Sequence, residues 1–268
     1  MQLWGVDFSS APTPRKPVVV AQGLRAGAVV RLQTVRALPR MSEFEALLAT
    51  PGPWLGAFDF PFGLPRAFVQ AQQLGESAQA VIAELQLRCP TRMDFRALVD
   101  AWGNTRPAGQ RLLHRATDAT MPGISSTSPL QTRYVPVGFM YYEGFSRLLE
   151  SGAHLPALHE GDASRIALEG YPGLLAHELI GRRSYKNDAS SERLLARKDI
   201  VEALEQGRTR LGLRLKLTPA QAGELVADAS GDRLDAVLCL MQAGWAATQP
   251  RWGQPDTVDA LEGWITSA

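Results

Sequence analysis

Asp7 follows the apolar segment LWGV, and Asp59 sits inside LGAFDFPFGLP between Phe58 and Phe60. Glu169 lies in RIALEGY. Asp232 and Asp235 open an apolar helical run at i and i+3, so they share a face. A carboxylate in such surroundings is costly unless it is paired. Taken singly, three of these acids have structural explanations: a turn cap for Asp7, a first-turn helix charge for Asp232, an arginine partner for Glu169. Asp59 and Asp235 resist that treatment, because their neighbours are apolar. Taken together, converging carboxylates cannot all stay ionised without a cation. With no His or Cys in the set, the hard ions Mg²⁺ or Mn²⁺ fit. Two such ions roughly 3.5–4 Å apart activate water and stabilise the leaving oxygen in phosphodiester cleavage. The candidate catalytic residues are therefore Asp7, Asp59, Glu169 and Asp235. The candidate metal ligands are Asp7, Asp59, Asp232 and Asp235.

Convergence depends on the elements that carry these acids. Gln2 to Asp7, Pro17 to Leu24 and Ala28 to Leu38 read as three strands of an antiparallel meander, with alternation clear in the third. Ser42-Glu43-Phe44-Glu45 has a capping-box pattern and opens a short helix to Ala49. Trp54 to Phe60 is nearly all apolar, as expected of a parallel strand buried on both faces. A helix follows from Leu64 to Leu74. Arg165 to Tyr171 reads as a fifth strand, and Pro172 starts a helix to Leu179. Further helices start at Ser190 or Ser191, at Thr218-Pro219 and after Ser230 as cap. The tail DTVDALEGWITSA reads as a final edge element. Residues 75–162 break the strand–helix rhythm and read as a mostly helical insertion in a single domain spanning 1–268. The expected class is α/β: a ribonuclease H-like mixed five-stranded sheet flanked by helices. In that topology the strands of Asp7, Asp59 and Glu169 are neighbours, and the last helix crosses them.

Five short motifs recur in this order: GVDFS from Gly5, FDFPFGLP from Phe58, EGYPG from Glu169, DRLDA from Asp232 and EGWI from Glu262. The ordered set resembles the domain-of-unknown-function 429 family, predicted nucleases of the ribonuclease H-like superfamily. It spans nearly the whole chain apart from the insertion. The resemblance implies a ribonuclease H-like core and a metal-dependent nuclease activity. Asp7, Asp59, Glu169 and Asp235 match the family's acidic positions, with Asp232 as an additional candidate. The paired acids on the last helix also look like those of Holliday-junction resolvases. The match is to spacing alone, since all four histidines lie away from that helix.

The net charge of the 268 residues is +1, so any basic surface for a nucleic-acid partner must be local. Arg88, Arg92, Arg96, Arg106, Arg111 and Arg115 form one cluster in the insertion, with Phe95, Trp102 and His114 interleaved. Arg182, Arg183 and Lys186 form a second. Arginines can take backbone phosphates bidentately, and aromatics can stack on unpaired bases. The segment from Met121 to Pro129, small and polar, reads as a loop over the site or a linker. Two cysteines, Cys89 and Cys239, without a CxxC pattern suggest neither a zinc site nor a disulfide scaffold. The N-terminus lacks a signal-peptide pattern, and the longest apolar run is too short for a bilayer. A cytoplasmic location is expected. Two other readings share the core topology: an actin or sugar-kinase-like phosphotransferase or ATPase, and a catalytically inactive nucleic-acid-binding protein. The first needs glycine-rich phosphate loops, and this chain has 24 glycines without one Gly-Gly pair. Neither GxSxG nor GxGxxG is present, so serine hydrolase and Rossmann readings have no support.

Overall fold

The computed structural model describes residues 1–119 and 126–268. Strands β1 (Gln2–Asp7), β2 (Val18–Ala26) and β3 (Val29–Leu38) form the antiparallel meander. β4 (Trp54–Asp59) lies parallel to β1. β5 (Ala153–His154) and β6 (Asp162–Glu169) continue the sheet, β6 pairing parallel with β4. β7 (Arg214–Lys216) joins the other edge beside β3. The order is β5-β6-β4-β1-β2-β3-β7, so the sheet has seven strands where five were expected. The two additional strands are edge pieces of two and three residues, too short to carry an alternation.

The helices are α1 (Met41–Leu48), α2 (Arg66–Ala71), α3 (Ala78–Arg88), α4 (Arg92–Asn104), α5 (Val137–Met140) and α6 (Ser146–Glu150). The last two are joined by a π turn at Tyr141–Phe145. They are followed by α7 (Pro172–Ile180), α8 (Ser191–Gln206), α9 (Pro219–Ala227) and α10 (Asp232–Ala246). Two starts differ from expectation. Arg40, not Ser42, precedes the first turn of α1 in an extended conformation and bridges to Glu43. Gly231, not Ser230, caps α10. Its φ of +83° suits glycine, while Ser230 Oγ accepts from the Asp232 amide at 3.2 Å. Thr218 does cap α9, in a reciprocal arrangement with Gln221.

Alternation divides the sheet into two faces. Leu3, Leu55, Ala57, Ile166 and Leu168 face the cluster that includes α7, α8 and α10. Trp4, Val6, Trp54 and Phe58 face a second cluster. The helices between residues 75 and 162 pack there, through Ile82, Leu85, Phe95, Trp102 and Phe145. Among its described residues the regular elements of that stretch are helices, apart from β5 and the first residue of β6. Trp4 and Trp54 stack across β1 and β4 with ring centroids 4.3 Å apart. Of the segment Met121–Pro129, residues 121–125 lie outside the described residues. Among the described residues no helix is long and apolar enough to cross a membrane.

Candidate metal centre

Asp7 and Asp59 are the last residues of β1 and β4, and they are register partners. Partners in a sheet project to the same side. Both acids therefore leave the sheet on the α10 face, at the carboxyl ends of parallel strands. Gly5, two residues before Asp7, explains how α10 comes near. A Cβ at Gly5 would lie 2.0 Å from the Ala236 carbonyl oxygen and 2.1 Å from the Leu240 amide. Helix backbone thus rests on strand backbone. That contact carries the first turn of α10, and with it Asp235, over Asp7.

The outcome is a set of three carboxylates, Asp7, Asp59 and Asp235, with one oxygen of each within 4.8 Å of the others. Asp235 is 1 % exposed. The Tyr185 hydroxyl donates to its Oδ1 at 2.5 Å, and the Lys186 ammonium bridges to its Oδ2. A buried guanidinium holds the loop that brings these two residues. Arg197 donates to the carbonyls of Tyr185 at 2.9 Å and Val226 at 2.8 Å. Only its hydrogen-bonding to carbonyls makes such a burial tolerable.

The charges are not balanced. Burial, then Asp235 and Asp59, push the Asp7 carboxyl well above the usual range. Burial pushes Asp59 up to about 7, with Lys186 opposing and Asp235 adding to the rise. Asp235 is also raised by burial, although Lys186 and Tyr185 work against it. Burial disfavours the Lys186 ammonium, yet Asp235 and Asp59 outweigh it and hold the charge on. Three oxygen-donor acids with a single ammonium are short of positive charge. The donor set suits a hard cation, and these carboxylates could hold a metal ion.

Other expected members fall elsewhere. Asp232 stands outside the close set. A step of three residues keeps it near the same helix face but displaces it about 4.5 Å along the axis. Its carboxyl is raised by burial and then by Asp228. Glu169 is a clearer correction. Its register partner is Phe58, not Asp59, so it leaves the opposite face of the sheet. There it is 4 % exposed and meets Arg115, which donates to Oε1 at 2.5 Å and Oε2 at 2.8 Å. The Phe62 amide also donates to Oε2, at 2.8 Å. Arg115 further binds Asp118 at 2.8 Å and the Glu262 carbonyl at 2.9 Å. Glu169 therefore ties the core to the segment 115–118, and its carboxylate does not join the acidic set.

The same contacts remove Arg115 from the expected phosphate surface, because it is 2 % exposed. The rest of that arginine cluster is dispersed. Arg88 donates to the Gln72 carbonyl, and Arg96 to the Thr132 carbonyl at 2.6 Å. Arg92 and Arg96 lie over Phe139, and Arg106 over Trp102. Arg111 is exposed on the far side of α4 beside Gly103. Phe95 and Trp102 are core residues. Two clefts instead reach Asp59, one of them past Arg182 and Arg183, and Asp59, Tyr171 and Lys186 line both. Tyr185 was not foreseen, and Lys186 was foreseen only as a phosphate contact. The polar tetrad Ser184–Asn187 right after an apolar helix was the signal available. Compared with family models, curated proteins and solved structures, the chain matches none.

Proposed function

We propose that this protein is a metal-dependent phosphodiesterase acting on nucleic acid, built on a ribonuclease H-like core of the domain-of-unknown-function 429 type. The observation that carries the reading is the meeting of Asp7, Asp59 and Asp235 at one point, from elements far apart in sequence. Supporting it are the parallel neighbours β1, β4 and β6, the crossing of α10, and the basic loop Arg182–Lys186 beside Asp59.

Asp7, Asp59 and Asp235 would hold Mg²⁺ or Mn²⁺. When bound, such an ion supplies activation of a water and stabilisation of the leaving oxygen. Asp59 lies on the floor shared by both clefts, where a bridging phosphate would rest. Lys186 reaches the same ridge, and its ammonium can take a non-bridging phosphate oxygen once Asp235 is otherwise engaged. Tyr185 keeps Asp235 oriented through its 2.5 Å hydrogen bond. Glu169 lines one cleft together with Asp59 and holds Arg115 in its wall, without joining the acidic set.

The test is hydrolysis of DNA, RNA, hybrid and branched substrates by purified protein with Mg²⁺ or Mn²⁺, beside a crystal soaked in Mn²⁺. Anomalous density among Asp7, Asp59 and Asp235 together with cleavage is the expected result. A second reading, a non-catalytic nucleic-acid binder, is favoured by the Lys186–Asp235 ion pair, which places a resident cation in the acidic set. Nucleic-acid binding without Mn²⁺ uptake at millimolar concentrations would decide for it.

A further inference from the structure

The two clefts that meet at Asp59 differ in chemistry. One, of about 380 Å³, follows the loop after α7 past His177, Arg182 and Arg183. Both arginines are exposed, and Arg183 shares its charge with the half-buried Asp199 at 2.8 Å. The other, of about 240 Å³, has Val135, Val137, Met140 and Ile265 as its apolar wall, the hydroxyl residues Ser126 and Thr127, and the mutually paired Arg115 and Glu169 in its lining. Tyr134, immediately before Val135, is 98 % exposed. Its φ of +59° lies in the left-handed region, which is unfavourable for a bulky residue. Its exposed ring, one residue from the cleft wall at Val135, is free to stack on a base.

A basic cleft suits a phosphate chain. A cleft with an apolar wall on the other side of the same acid suits the flat, weakly polar face of a base. In a closed duplex no base is available to enter such a cleft, because the bases are stacked and paired inside. We infer that the substrate is a nucleic-acid strand with an unpaired nucleotide at the reaction point. Its phosphates lie along Arg182 and Arg183, its scissile phosphodiester lies at Asp59, and the adjacent base enters the apolar cleft against Tyr134. This rests on the phosphodiesterase reading and gives it a substrate class.

The experiment measures initial rates with Mn²⁺ on bis(p-nitrophenyl) phosphate, on single-stranded DNA and RNA oligonucleotides, and on each annealed to its complement. The expected result is a single strand cleaved about tenfold or more faster than its duplex, the order an aromatic–base stack contributes. Tyr134→Ala and Val137→Arg should each lower the ratio of single-strand to aryl-diester rate, by about tenfold for loss of the stack. The exposed position of Tyr134 keeps this test free of folding effects, should Val137→Arg disturb α5. Equal or faster cleavage of duplex, or an unchanged ratio in Tyr134→Ala, would overturn the inference while leaving the phosphodiesterase reading intact. No hydrolysis of any substrate, the aryl diester included, would overturn both.

Discussion

Two acidic groups flank the same end of the sheet on opposite faces, and their surroundings obey opposite rules. On one face Glu169 and Asp118 share Arg115. Glu169 also accepts from the Phe62 amide, and Asp118 from Ser126 at 2.5 Å and from the Arg115 amide at 2.7 Å. All three side chains are buried, but each charged group faces donors or acceptors suited to it. On the other face, among the described residues, one ammonium serves three carboxylates; burial lifts all three above their ordinary range, as it does Glu169, but Asp7 and Asp59 are pushed further by the acids beside them. The first group is satisfied and holds the segment 115–118 to β6 and the chain end. The second is frustrated, and a frustrated cluster in a cleft is where function is expected. Burial of an acid does not separate the two cases. The balance of partners does.

The largest effect should come from breaking the satisfied group. Arg115→Met leaves two buried carboxylates without their cation, and should cost on the order of 3–5 kcal/mol in urea denaturation. A loss below about 1 kcal/mol would mean that the network is no stronger than a surface pair.

Changes to the frustrated group should go the other way. In the metal-free protein Asp59 keeps its proton to about pH 7, whereas the unfolded carboxyl releases it near 4. The folded state thus binds more protons across that window, and stability falls as pH rises through it. Asp59→Asn should remove the Asp59 share of this fall and leave that of Asp7 and Asp235, raising metal-free stability at pH 8 by roughly 2–4 kcal/mol. The same variant should lose Mn²⁺ affinity by more than about 100-fold, since even outer-shell partners are worth 10–100-fold. Melting curves from pH 4 to 8, with and without Mn²⁺, check both parts. Wild-type protein with Mn²⁺ should show a flatter profile, because the ion stabilises the ionised carboxylates. If Asp59→Asn instead destabilises the protein at every pH, Asp59 belongs with the satisfied acids.

Gly5→Ala probes the seat of the frustrated group without touching a charge. The added methyl must displace α10 from β1, at about 1–3 kcal/mol by denaturation. Isothermal titration with Mn²⁺ should also show weaker binding, because Asp235 moves with the helix. At the small end, Arg133→Ala removes an exposed pair with Asp100 whose side chains are 55 % and 37 % exposed. Its cost should be about 0–1 kcal/mol, a baseline against which the buried groups are read.

Local pattern carried much of this protein. The bounds of β1, with Asp7 as its last residue, were legible, as was the parallel, doubly buried character of β4; β4 and β6 end earlier than expected, at Asp59 and Glu169 rather than Phe60 and Tyr171. The capping of α9 by Thr218 was legible too, because both cap residues lie within one turn. Where the local signal was ambiguous, packing decided. Ser42 and Ser230 look like caps, yet Arg40 and Gly231 take the position through their backbone conformations. The edge strands β5 and β7 exist only because a sheet edge was there to receive them.

The residue types thus determined that acids end the central strands and open the last helix, since alternation and helical periodicity act over a few neighbours. Only the tertiary structure decided which of them meet. The side on which Glu169 emerges depends on its register against Phe58, and a slip of one residue would have sent it to Asp59 instead. Arg115 changed from an expected phosphate contact to a buried partner for the same reason: apart from its near neighbour Asp118, its partners come from β6 and the chain end. Register and burial are set by contacts between distant segments, and no window of sequence contains both sides of such a contact.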